Sequence, residues 1–177
     1  MMNRSISLKA EIGSRAGAAD LLKAPGDAVL IQRGAPRWLL LLCPCGCGEE
    51  IPLNLDARAG KAWRLYREPI KGLTLFPSVW RDTGCQSHFV VWRDRILMFG
   101  IDQALNTSPS DSLDLTTLSR RVLDAWPHGR LVPYVDVADA LREIPWDVQA
   151  ACRRLVKVGV LVEGRGVQRG WFRRVSR

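Results

Sequence analysis

Apolar and polar positions change their period part-way along the chain. Before residue 100, short apolar runs are punctuated by Gly, Pro and Asp: "DAVLIQRG" (27–34), "PRWLLLLC" (36–43), "EEIPLNL" (49–55), "KAWRLYRE" (61–68), "LTLFPSVW" (73–80) and "SHFVVWRDRILMFG" (87–100). Runs of this length between turn residues predict antiparallel strands. "AWRLYRE" alternates as a half-buried strand does, whereas the four consecutive leucines of "LLLL" predict a strand covered on both faces. "SRAGAADLLKA" reads as a short leading helix. After residue 113 the spacing becomes helical. "LDLTTLSRRVLDAW", "VDVADALREI" and "PWDVQAACRRLVKVG" predict three helices, and Val148, Cys152, Leu155 and Val156 form one stripe on the third. Pro145 suits a first helical turn and Gly159 the position just past the end. "VLVEGRGVQRGWFRRV" then predicts two strands around a glycine-containing turn.

Three helices and a hairpin resemble a winged helix, with helices two and three as the helix-turn-helix pair and Gly164-Arg165-Gly166 at the wing tip. Ser, Asn, Thr and Pro dominate "DQALNTSPSDSLD" (102–114), which reads as a linker. The expected class is therefore α+β: a small, mostly antiparallel β domain over 1–104, which also carries the cysteine cluster, followed by a winged-helix-like domain over 113–177.

Composition narrows the class. The chain has 177 residues, 47% hydrophobic and 25% charged, as a globular protein does. Its apolar runs fall well short of the roughly 20 residues of a spanning helix, and the first residues lack an apolar signal core. A cytoplasmic protein without a membrane partner is expected. The net charge is +8, and eight Lys and Arg against the single acid Glu163 fall between Ala151 and Arg177. Such a region suits nucleic acid or an acidic protein partner. The third helix nevertheless begins "PWDVQAA", with no Lys or Arg in its first turns, where base contacts would fall.

The candidate chemistry lies in "CPCGCGEE" and "GCQSHF". Five cysteines, clustered, do not make a secreted disulfide framework; in a reducing compartment they point to metal or catalysis. Thiolates favour zinc, and a structural site takes four Cys or His ligands. Cys43, Cys45, Cys47, Cys85 and His88 offer five candidates for four places. Cys152, on its helical stripe, belongs to the core. If four thiolates take the metal, His88 is free as a general base, with Ser78 or Ser87 as nucleophile. If His88 is a ligand, Cys45 is the spare thiol. If the zinc has an open position, Glu49 is the candidate base for a bound water. The N–H groups of Gly46 and Gly48 are candidate oxyanion donors.

The ordered segments "GDAVLIQRGAPRWLLLLCPCGCGEEIPLNLD" and "AWRLYREPIKGLTLFPSVWRDTGCQSHFVVWRDRI" resemble a domain carried in bacterial ubiquitination-like (Bub) operons. "CPCGCGE", "TLFPSVWR" and "GCQSHF" carry the resemblance together. It implies the peptidase-like member of such a system, which trims a ubiquitin-like precursor or removes it from conjugates. The expected partners are that ubiquitin-like protein and the activating or conjugating enzyme of the operon. The family motif marks Cys43, Cys45, Cys47, Glu49, Ser78, Cys85, Ser87 and His88 without dividing ligands from catalysts. A zinc-stabilised adaptor or DNA-binding regulator is the competing reading.

Overall fold

The structure is a computed structural model that describes residues 2–69, 72–99, 115–127 and 129–175. The predicted linker, 102–114, lies outside these residues. The chain divides into two compact units, Met1–Asn106 and Thr107–Arg177. It is α+β, with mostly antiparallel sheets and three α-helices among the described residues.

The first unit packs two four-stranded sheets. One, in the order β1-β2-β3-β4, comprises Ser7–Ile12, Asp27–Arg33, Ala35–Leu42 and Glu50–Asn54. The other, β5-β6-β7-β8, comprises Arg64–Glu68, Gly72–Trp80, His88–Trp92 and Arg95–Met98. Leu39 and Leu41 of β3 share one core with Leu75, Phe89 and Val91 of the second sheet. Leu40, pointing the other way, packs with Val29, Ala18 and Leu22. Both faces of "LLLL" are thus covered, because the segment before β2 folds over the first sheet.

Four expectations are corrected. β1 was not foreseen, and it pairs with β2 in parallel rather than antiparallel fashion. The leading helix reduces to a 3-10 turn at Ala19–Leu21, because Gly17 adopts φ +78° and leaves no room for a longer helix. "SHFVVWRDRILMFG" is a hairpin rather than one strand, turned by Arg93 and Asp94 at φ +51° and +63°. Two positive φ values in a two-residue turn match the strand twist without a glycine signal. Core packing, the default reading for aromatics on strands, also fails at Trp38 and Trp80, which are exposed.

In the second unit, α1 (Leu115–Ala125), α2 (Tyr134–Leu141) and α3 (Pro145–Lys157) accompany a three-stranded antiparallel sheet. Its strands are β9 (Val132–Pro133), β10 (Leu161–Glu163) and β11 (Trp171–Arg174), in the order β10-β11-β9. α3 ends as its sequence predicts. Gly159 takes φ +73°, its N–H donates to Val156 O at 3.0 Å, and Val160 N–H donates to Leu155 O at 2.9 Å. That pair of bonds satisfies the last carbonyls of the helix. Trp126 and Phe172 meet edge to face at 6.0 Å within a core of Val122, Val148, Cys152 and Leu155. The turn between β10 and β11 is longer than Gly164-Arg165-Gly166, since a 3-10 turn at Gly166–Gln168 extends it.

Candidate active site and thiol cluster

Two connections meet at one end of the first unit. The β3–β4 turn folds on Cys43, whose N–H donates to Glu49 O at 2.8 Å and whose carbonyl accepts Gly46 N–H at 3.2 Å. Gly46 and Gly48 have φ +91° and +82°, values that a side chain disfavours and that curl the turn. Gly46 N–H is therefore committed to the turn, which corrects its expected role as an oxyanion donor. The β6–β7 connection is closed by Arg81 N–H to Ser87 O at 3.0 Å. Glu49 ties the two together: it pairs with Arg81 at 2.9 Å and lies over Gly84, where an added Cβ would come within 2.8 Å of its carboxylate. With its carboxylate held by Arg81, Glu49 is placed as a bridge between loops.

The sulfurs of Cys43, Cys45, Cys47 and Cys85 lie within 4.8 Å of one another. A tetrahedral zinc with bonds of about 2.3 Å sets its sulfurs about 3.8 Å apart. Cys43 Sγ is 3.3 Å from Cys45 Sγ and 3.7 Å from Cys85 Sγ, so the donor set fits a metal ion after small adjustments. The burial grades from Cys43, fully buried, to Cys47, exposed. Burial, followed by the neighbouring Cys43 thiol, pushes Cys45 up to about 12, which makes it a poor free nucleophile. Burial also acts on Cys85, but the Ser87 hydroxyl and N–H, with the Cys45 and Cys47 thiols, outweigh it and bring Cys85 down to about 6. Ser87 is buried, with Oγ 3.4 Å from Cys43 Sγ and 3.3 Å from Cys85 Sγ. It faces the thiols. Cys152 lies in the core of the second unit.

His88 is not in the thiol cluster. Adjacent strand residues point to opposite faces, so the chain that turns Ser87 inward turns His88 outward. There His88 Nε2 lies 3.1 Å from Ser78 Oγ. Trp80 stands directly opposite His88 in the β6–β7 ladder, and Ser78, two residues earlier, shares its face. The ladder shifts register between Leu75 and Val79, which places Phe76, Pro77 and Ser78 in a bulge. Bulges re-aim side chains. Trp63 Nε1 holds the bulge by donating to Ser78 O at 3.4 Å.

Aromatic rings flank the imidazole. Phe99 stacks on it at 4.1 Å and Trp80 lies 5.8 Å away, tilted. Trp80 is 72% exposed and Phe99 54%. Sequence reasoning did not assign Trp80, Phe99 or Trp63 to the site. The one available signal was period two, which puts Trp80 on the face of Ser78. A separate groove of about 400 Å³ on the first sheet is lined by Arg15, Arg33, Arg37, Trp38 and Asp56, and it includes neither Ser78 nor His88. Its basic groups are already engaged: Arg37 pairs with Asp56, Arg15 with Glu50, and Arg33 donates to Gly13 O.

No helix among the described residues is long and apolar enough to cross a membrane. No curated protein and no solved structure matches the chain. Residues 15–99, which hold both the serine–histidine pair and the thiol cluster, match the family described as bacterial ubiquitination-like system serine protease (BubE). Over these residues the first unit is thus similar to the peptidase family of bacterial ubiquitination-like (Bub) systems.

Proposed function

We propose that the chain is a serine peptidase that processes a bacterial ubiquitin-like protein or removes it from conjugates, with Ser78 as nucleophile and His88 as general base. The observation that carries this reading is the 3.1 Å contact of Ser78 Oγ with His88 Nε2 on an exposed sheet face. A nucleophile needs an adjacent base within hydrogen-bond reach. With its proton on Nδ1, His88 accepts the Ser78 proton at Nε2 as Oγ attacks the substrate carbonyl. The protonated imidazole then gives that proton to the departing amine, and the C–N bond breaks. Water, deprotonated by the same nitrogen, releases the acyl group and restores Ser78. Stacking on Phe99 holds the ring in plane for both transfers.

Cys43, Cys45, Cys47 and Cys85 would hold a structural zinc, a role supported by the four-thiol donor set and by the separation of His88 from it. The zinc would fix the turn after β3 to the connection between the nucleophile strand and the base strand. The second unit is assigned as a winged helix that recruits the ubiquitin-like substrate or the activating or conjugating enzyme. Its helix order and small antiparallel sheet support this assignment. Exposed Arg153, Arg154 and Lys157 on the later turns of α3 suit an acidic protein surface or a nucleic-acid backbone.

The test is cleavage of the ubiquitin-like partner extended at its C-terminus by a reporter. Wild-type protein is expected to cut at the junction, Ser78→Ala to be inactive and Ser87→Ala to cut. Full activity in Ser78→Ala overturns the assignment. A folded, metal-loaded protein that never cuts favours the adaptor reading, and salt-sensitive binding to random duplex DNA would then mark it as a regulator.

A further inference from the structure

The strand that carries Ser78 has an open edge beside it. β5 pairs with β6 only as far as Arg64 opposite Phe76. The chain before it leaves this sheet, as Trp63 N–H donates to Asn54 O at 2.8 Å in the first one. Ser78, Val79 and Trp80 therefore run on past the end of β5.

Neighbouring hydrogen bonds fix the direction of the main-chain groups. His88 O accepts Phe99 N–H at 2.8 Å, and so turns away from β6. Arg81 N–H reaches Ser87 O, the next position along. Trp80 and His88 are consequently a non-hydrogen-bonded pair, and the N–H and C=O of Trp80 point to the side where β5 has ended. Ser78 O points there too, since Trp63 Nε1 reaches it from that side. Among the described residues, no strand pairs with this edge at Trp80. Exposed edges are commonly blunted by charge or proline. Here Pro77 stands at one end of the edge and Arg81 at the other, and the residue beyond Ser78 and Val79 is an exposed tryptophan.

An exposed donor and acceptor on one strand edge complement another extended main chain, and aromatic rings on the same face complement its apolar side chains. We propose that the edge of β6 at Ser78–Trp80 is the substrate cleft, which takes an extended polypeptide segment as an added strand. Its alternate, apolar side chains lie against Trp80 and Phe99, and its scissile carbonyl lies at Ser78 Oγ. This rests on the peptidase reading, and it adds the bound conformation and the preference for apolar residues on the acyl side of the cut.

The full, metal-loaded chain would be given a library of fluorogenic peptides varied on the acyl side, then copies of the best peptide each carrying one backbone N-methyl group. The expected result is an apolar preference at alternate positions, with one N-methyl position lowering kcat/KM at least tenfold while its immediate neighbours are tolerated. Trp80→Ala is expected to flatten the apolar preference. Efficient cleavage of every N-methylated copy, within twofold of the parent, overturns the proposal. A small fluorophosphonate separates the two readings. If it labels Ser78 but no extended peptide is cut, the added strand is wrong and the nucleophile stands. If it does not label Ser78 and nothing is cut, the peptidase reading falls, and the cleft with it.

Discussion

His88 faces Trp80 across the β6–β7 ladder but bonds to Ser78, two residues further back on the same strand face. The diagonal reach exists because the bulge at Phe76–Ser78 shifts the serine toward the imidazole. Ser78→Ala and His88→Gln are each expected to lower kcat/KM by about a thousandfold or more, and the double variant little further, as the proposed nucleophile–base unit requires. Kinetics on a single reporter substrate decide this. Additive losses would mean that the groups act separately.

Metal content gives a second prediction. The purified chain is expected to hold about one zinc ion through its four thiolates. Cys43→Ser and Cys85→Ser should each abolish stoichiometric binding, whereas Cys152→Ala and His88→Gln should retain it. Elemental analysis after dialysis reads all four. Chelation should lower the melting temperature of the first unit, since metal affinity is folding energy when the site forms only in the folded chain.

A third concerns acid. Asp27 is buried, yet its pKa is lowered from 3.8. Burial opposes the charge, but the N–H groups of Ala24 at 2.8 Å and Lys23 at 3.0 Å, together with Lys9 at 3.0 Å, outweigh it. A carboxyl whose folded pKa is depressed contributes stability that is complete above the unfolded value and lost as pH falls through the folded one. Asp27→Asn should cost about 1–3 kcal/mol at pH 7, and that difference should shrink below pH 3.8. Denaturant titrations of both proteins across that range check it.

A fourth tests the separation of the two cores. Trp126→Ala should destabilise the second unit by about 3–5 kcal/mol through the cavity it leaves. The first unit should keep its thiol cluster and its peptidase activity. A second calorimetric transition that moves alone is the expected trace, and loss of zinc in this variant would contradict it.

The readable parts of the sequence were those where local pattern and tertiary environment agree. The leucines of β3 announced burial on both faces, and Pro145 and Gly159 bracketed α3. The cysteine turn and "GCQSHF" announced a meeting of two loops, and the thiols do meet. What the spacing left open was the partner of His88. That choice depends on strand parity between Ser87 and His88 and on a bulge around Pro77, and neither leaves a motif. β1 escaped notice for a related reason. "SLKAEI" carries two charges, and its partner Asp27–Arg33 is reached by a parallel pairing that no short turn signals.

The N-terminal segment carries a consequence for anyone trimming this protein. Asn3 N–H donates to Pro44 O and Ile6 N–H to Asp94 O, Ile96 N–H donates to Arg4 O, and β1 then pairs along β2. A few residues thus lace both sheets together and brace the cysteine turn from behind. The stretch shared with the family, 15–99, begins after this lacing. The unit of kinship is therefore smaller than the unit of folding, and an expression boundary drawn at the first would cut through the second.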